Sequence, residues 1–463
     1  MVYQRMEKTP AGCARSRYSC SGGGCRMRTR SVFRFELIIL LAAIGLSVIG
    51  ILFIYSSAIS SDGILQNNEY IKQIVWVCVG FAIMLGVSFF DYERLRSLSL
   101  YIYLSVIAML VFVLVLGEVV NGARSWLNIR GIGIQPSEFM KIALILRLAF
   151  FFEESRNRYS DFIRFLLSLI YMTVPMLLVV IQPDMGTAMV YIPIYLIMAF
   201  AAGIKKRYLL FLLACGSLIV LGTIIPAWDI FIITERSVKL AKVFSETRLT
   251  IIVLAAALAI LLLSGIGFLS VKKKYFYWIG FAALIIIVSF SMTLGANNYI
   301  KDYQLKRLII FMDPQVDPKG AGWNVIQSIT AVGSGGTSGK GFLRGTQSHY
   351  RYLPQQSTDF IFSIIAEEWG FVGCLIIFVL FFVIIMRSLY ILMSAKDYFA
   401  LYIGSGVVAM IFFHFIVNIG MAMGIMPITG IPLLLVSYGG SSMLTTMAGL
   451  GLVSSIYLHK YKY

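Results

Sequence analysis

Residues 35–57 read FELIILLAAIGLSVIGILFIYSS, a run whose one charge, Glu36, stands at its leading edge. A helix rises about 1.5 Å per residue and a bilayer's hydrocarbon core is about 30 Å thick, so a run of this length can cross. Backbone exposed to lipid must close its hydrogen bonds within the segment, which makes that crossing a helix. The rest of the chain repeats the pattern. Of its 463 residues 59% are hydrophobic and 13% charged, with a mean hydropathy of +0.85, far from the balance of a soluble domain. Apolar runs recur near 35–57, 72–90, 98–117, 137–152, 164–182, 186–203, 207–227, 249–270, 276–296, 361–386, 400–421 and 432–457. The fold class is therefore an all-α polytopic membrane protein with about 12 spans. The fourth run carries Lys141 and Arg147 and is the weakest by hydropathy alone.

The formal net charge is +17, a value that in a soluble protein would suggest nucleic acid; its placement argues for topology instead. The tail 1–34 holds eight Lys/Arg against one acid, and clusters follow at Arg94/Arg96, Arg156/Arg158/Arg164, Lys205–Arg207, Lys272–Lys274, Arg387/Lys396 and Lys460/Lys462. With twelve spans these all fall on one side, which the positive-inside rule makes cytoplasmic. Both termini are expected inside, with a tail over 1–34 and a membrane domain over 35–463. The tail has no apolar core before Val32, so it does not read as a cleaved signal peptide, and Met27 offers an alternative start. Cys13, Cys20 and Cys25 lack the second ligand pair of a zinc site, and no metal cluster of ordinary spacing occurs elsewhere.

Most connections are a few residues long. Two external ones are not: 117–141, with Arg124, Trp126, Arg130, Gln135 and Glu138, and the large loop 297–360. Long loops in compact proteins are usually functional. Within the second, GSGGTSGKG fails as a P-loop, because Ser334 stands where a glycine is needed and Gly341 where Ser or Thr must follow Lys340. It is either a flexible turn or a loop bringing amides and Lys340 to a phosphate. Glu138 and Lys141 form an i, i+3 pair able to neutralise itself. Asp184 in QPDMGT has the position of a helix cap. Glu367 and Glu368 cannot share one face, so at most one points toward Asp359. Asp359 itself, in STDF before an apolar run, is either a cap with Ser357 and Thr358 beside it or a working acid. His414 and Asn418, one turn apart, read as a packed polar pair.

The blocks GARSWLNIRGIGIQPSEFMK (122–141), QPDMGT (182–187), YQLKRLIIFMDP through GKGFLRGTQS (303–348), 353–370 and NIGMAMGIMPITGIPLLLVSYGGSS (418–442) together resemble the SEDS family of cell-wall polymerases. Within it, GTQS and the 427–442 ending resemble the elongation branch, which sets rod shape, more than the division branch. The resemblance implies a helix bundle of about ten spans and a glycosyltransferase that polymerises lipid II into peptidoglycan strands on the outer face of the cytoplasmic membrane. It implies as partners a class B penicillin-binding protein that crosslinks those strands and the elongation machinery, with no nucleic acid. It implies that Asp359, the acid of the TDF motif, is catalytic. A carboxylate there suits the chemistry, since a sugar hydroxyl must lose a proton as it attacks an anomeric carbon, a role worth roughly 10²–10⁴-fold. Cations would stabilise the departing pyrophosphate: Arg307, Lys340, Arg124 and Lys141 are the candidates, with Gln304, Trp126 and Glu138 beside them. A divalent cation, were one used, would have to be held by phosphate and one or two acids.

Two departures stand out. Where the family writes LPE, any residue, HTDF, this chain has LPQQSTDF, with Gln355 for the acid and Ser357 for the histidine. Residues 229–298 add two apolar runs joined by VKKKY, an inserted hairpin that leaves the catalytic loop on the same side. Two other functions suit a multi-span bundle, a flippase carrying lipid II outward and a non-catalytic scaffold. The gathering of polar groups at outer helix ends, and the lack of a convincing internal repeat, favour the enzyme.

Overall fold

The computed structural model describes residues 36–120, 123–129, 132–231, 247–299, 310–318, 320–350 and 352–460. The basic tail, Arg130, Gln304 and Arg307 lie outside them. All twelve expected runs are helical: α1 (Leu37–Ala58), α2 (Glu69–Phe89), α3 (Arg94–Leu116), α4 (Pro136–Glu154), α5 (Asp161–Ile181), α6 (Met185–Ala201), α7 (Lys206–Phe231), α8 (Thr247–Val271) and α9 (Lys274–Tyr299) precede the large loop. The loop holds α10 (Ala321–Ser334) and the single turn α11 (Thr346–His349), and α12 (Ile361–Leu392), α13 (Tyr398–Ala422) and α14 (Gly440–His459) follow.

Ten described helices are long and apolar enough to span a membrane. Of the twelve expected, α6 falls short with 17 residues and α4 carries five charges in its 19 residues. Both survive because neighbours screen them from lipid: α4 packs against α3, α5, α6, α13 and α14, and Glu138, Lys141 and Arg147 are buried. The bundle centre is α13 and α14, buried over 72% and 78% of their apolar windows, against 17% for α8.

Three expectations about loops are corrected. Residues 118–134, expected as irregular, form an antiparallel sheet of β1 (Glu118–Val120), β2 (Ala123–Ile129) and β3 (Ile132–Ile134). Glu118 pairs with Trp126 and Leu127 with Ile134. The loop after α9 carries α10, which Ser328 fastens by hydrogen bonds to Ser363 and the Ala422 carbonyl, both at 2.6 Å. The last helix starts at Gly440 instead of 432, because 427–439 runs as irregular backbone.

The basic end is tied by ion pairs between successive connections. Arg96 reaches Glu153 at 3.0 Å and Asp397 at 3.8 Å, Tyr92 donates to Asp397 at 3.2 Å, and Arg387 grips both oxygens of Glu36. Burial, then the Asp397 carboxylate, hold the Tyr92 phenol far above its ordinary range. The 229–298 hairpin is peripheral: α9 packs on α8 and α7. Deleting 229–298 should therefore leave a monodisperse protein in detergent whose melting temperature falls by no more than about 5 °C; aggregation or a far larger fall would show the hairpin to be structural.

Candidate functional site

The end of the bundle away from the basic clusters is organised around a break in α12. Gly370 takes φ +62°, splitting the helix. The 22 residues beyond it span about 33 Å and suffice to cross a bilayer alone. A break leaves amides and carbonyls without helical partners, and here the glycine-rich loop supplies them. Lys340 N and Gly341 N donate to the Glu367 and Glu368 carbonyls at 3.0 and 2.9 Å. Phe371 N and Val372 N donate to the Gly336 and Thr337 carbonyls at 2.9 and 3.2 Å. A Cβ at Gly335 would lie 1.9 Å from the Ala366 carbonyl oxygen, and one at Gly339 2.0 Å from that of Glu368, so glycine is needed for this approach. In GSGGTSGKG the amides of Lys340 and Gly341 are spent on the splice and that of Gly339 on the Gly335 carbonyl within the loop, at 2.9 Å.

The two glutamates complete it. Glu367 accepts from Lys340 Nζ at 2.6 Å, Thr346 N at 2.9 Å and Gln347 N at 3.1 Å. Glu368 accepts from Ser56 and from Leu343 N, with His349 Nε2 at 3.9 Å. Both are fully buried, and both hold the loop instead of facing Asp359.

Asp359 sits on the turn leading into α12, partly buried. The residue at the N-cap position of α12 is Phe360, which has no side-chain cap bond. The turn closes on the Gln355 carbonyl, which accepts from Thr358 N at 3.3 Å and Asp359 N at 3.1 Å. Its other main-chain groups are held by 428–438: Tyr438 N donates to the Ser357 carbonyl at 2.9 Å and Ser437 Oγ to that of Thr358 at 2.6 Å. Asn418 Nδ2 donates to the carbonyls of Asp359 at 2.9 Å and Ile431 at 2.8 Å. A Cβ at Gly430 would lie 3.6 Å from Asp359 Oδ2, so this segment floors the carboxylate. Ser437 was not singled out from the sequence, where it is one hydroxyl in VSYGGSS.

One turn before Asn418, His414 binds the next carbonyl, Nδ1 to Pro432 O at 3.1 Å, with Nε2 3.1 Å from Lys141 Nζ. A carbonyl only accepts and an ammonium only donates, so this His is neutral and protonated at Nδ1. Lys141 pairs with Glu138 at 2.7 Å. His414 and Asn418 do not pair with each other; each ties α13 to consecutive carbonyls of one segment. Asp184 caps α6, accepting from Thr187 N at 3.2 Å, and also from Gln135 Nε2 at 2.7 Å. The structure thus gathers Asp359, Lys141 and Glu138 around 428–438. Lys340 sits in the splice, and Arg124 and Trp126 lie on β2, with Arg124 exposed and its Nη1 3.4 Å from the Leu114 carbonyl.

Known proteins are similar to this chain over most of its length. The RodA of Treponema pallidum, named a peptidoglycan glycosyltransferase, is 46% identical over 431 residues, covering 93% of this chain and 99% of that protein. The MrdB of Escherichia coli K12, also named a peptidoglycan glycosyltransferase, is 31% identical over 422 residues, or 91% and 93%. The crystal structure of Thermus thermophilus RodA superposes with a TM-score of 0.57 at 23% identity, over 93% of this chain and 98% of that one. A chain from a study of how a peptidoglycan synthase complex coordinates polymerization and crosslinking gives 0.65 at 24%, over 93% and 100%. The model for the cell cycle proteins FtsW, RodA and SpoVE matches residues 36–248 and 246–462, nearly the whole described bundle with its spliced helix and TDF turn, and the chain belongs to that family, the SEDS proteins.

Proposed function

We propose that this chain is a peptidoglycan glycosyltransferase of the elongation type, joining lipid II units into glycan at the outer face of the cytoplasmic membrane. The observation that carries it is the Asp359 turn: a partly buried acid on a backbone whose carbonyls are held by Asn418, Ser437 and Tyr438. Placing a reactive group on so constrained a turn is what positioning a general base requires. Asp359 takes the proton of the acceptor sugar's hydroxyl as that oxygen bonds to the donor's anomeric carbon. The bond from that carbon to the diphosphate oxygen breaks, and polyprenyl pyrophosphate leaves with the electron pair. The names of the relatives support the reaction class, and the basic end of the bundle, tied at Arg96 and Arg387, supports a cytoplasmic side opposite Asp359.

The cations divide by their partners. Lys340 and Lys141 each have a glutamate at 2.6 and 2.7 Å, so either would meet pyrophosphate only by exchanging that partner. Arg124 has no ion pair among the described residues and, with Arg307 and Gln304, is assigned the leaving group; Trp126 beside it offers an aromatic face to a sugar or a prenyl chain. Glu138 and Lys141 act through the segment beneath Asp359. A class B penicillin-binding protein is the proposed partner, supported by the likeness to a chain of a complex that couples polymerization to crosslinking. The hairpin 229–298 is proposed as an addition to the family core.

With lipid II and the crosslinking partner, Asp359→Asn should lower glycan polymerisation by at least about 10²-fold while the melting temperature stays put; polymer at the wild-type rate would remove Asp359 from the chemistry. Glu138→Ala, which strands a buried ammonium, should destabilise by about 3–5 kcal/mol. The double variant Glu138→Leu/Lys141→Met should recover most of that in a thermal melt, and equal loss in both would show that charge is not the issue.

A further inference from the structure

A lateral groove of about 510 Å³ lies far from the TDF turn, where α6 ends and α7 begins, and α9 closes it with Trp278. Its floor is apolar, formed by Ile197, Phe200, Leu210 and Leu213, and none of its lining residues is acidic. Exposed apolar side chains are ordinary on a lipid face; the cations at the rim are not. Of the run Lys205–Arg207, Lys205 is paired with Asp161 at 3.1 Å. Lys206 and Arg207 have no carboxylate within ion-pair distance among the described residues. Lys206 Nζ hangs 6.0 Å from the Phe200 ring centre, over the mouth. Arg207 spends its terminal nitrogens on the hydroxyls of Tyr208 at 2.8 Å and Tyr277 at 3.3 Å, while its Nε is buried without an acceptor. Lys273 and Lys274 stand one turn before Tyr277, exposed.

We propose that this groove binds an anionic phospholipid of the leaflet at the basic end of the bundle. The headgroup phosphate sits between the Lys206 ammonium and the Arg207 guanidinium, neither of which has a carboxylate partner among the described residues; the acyl chains lie along Phe200, Leu210 and Leu213, and Trp278 marks the interface. A zwitterionic lipid fits the same floor but brings its own cation to a rim already rich in them. The 229–298 hairpin thereby gains a role, since it supplies Trp278, Tyr277 and the VKKKY turn. Calling that leaflet the inner one rests on the sidedness proposed above; the site itself does not.

The test is native mass spectrometry of the purified full chain in detergent, titrated with phosphatidylglycerol or phosphatidylcholine. The wild type should retain phosphatidylglycerol preferentially, and Lys206→Gln/Arg207→Gln should weaken that retention about 30-fold. Arg94→Gln/Lys396→Gln, which removes the same charge elsewhere at that end, should leave it unchanged. Leu210→Trp, which fills the groove and keeps the cations, should also lower it. Equal retention of the two lipids, equal loss in the charge-matched control, or full retention by Leu210→Trp would each overturn the site. Lipid retention is read without lipid II, so a protein that polymerises but shows no preference sinks the groove alone, and an inactive one that shows it leaves the groove standing.

Discussion

Backbone polar groups away from water must find partners, and at the TDF end of this bundle that requirement decides the architecture. Two segments there abandon helical geometry: α12 at Gly370, and 427–439 before α14. Neither is left to lipid. The break is filled by loop 335–341, whose amides and carbonyls interleave with those of residues 367–372. The irregular segment is held by side chains from two helices, Gln73 of α2 to the Ser437 carbonyl at 3.2 Å and His414 and Asn418 of α13 to Pro432 and Ile431. Irregular backbone can present a side chain at an angle no helix offers, and the Asp359 turn is held by the second of these segments.

Charge follows the same logic. A lysine with 0% exposure, such as Lys141, is tolerable only where its desolvation is offset. Glu138 supplies the opposite charge and His414 a neutral acceptor. Because His414 must present Nδ1–H to Pro432 to leave Nε2 free for the ammonium, the ion pair fixes a tautomer, and the tautomer fixes a carbonyl next to the one that Asn418 shares with Asp359. The result is a rigid path from a buried ion pair to the turn, built of contacts between 2.7 and 3.1 Å.

Much of this was legible in the sequence. Twelve helices and the common side of the basic clusters follow from apolar run length and from where Lys and Arg fall. Asp359 stood out as an acid before an apolar run. What was not legible depends on partners distant in the chain. Nothing local distinguishes Gly370, inside an apolar run, from a packing glycine; its break is visible only once Ser338 and Gly339 lie against it. Of Glu367 and Glu368 the sequence shows only that at most one can point toward Asp359, whereas the hydrogen bonds of both hold a loop. The strands at 118–134 were hidden by length, each edge strand having only three residues. The start of α14 was misplaced because PLLLV is as apolar as a helix, although the Pro432 carbonyl is claimed by α13 and that of Ser437 just after it by α2.

The departures at Gln355 and Ser357 can now be weighed. Each position does its holding through the main chain: the Gln355 carbonyl closes the turn under Thr358 and Asp359, and the Ser357 carbonyl receives Tyr438 N. Gln355 adopts φ +53°, a left-handed conformation that strains any residue with a Cβ, whichever side chain it bears. The side chains are secondary; among the described residues Gln355 Oε1 accepts only from Thr358 Oγ1, at 3.3 Å. An acid or amide at 355 and a histidine or serine at 357 can therefore serve the same turn. What cannot be exchanged is the set of donors that hold it, Asn418, Ser437 and the Tyr438 amide, and all of them are present in this chain. The geometry that presents Asp359 is thus preserved where the motif is not.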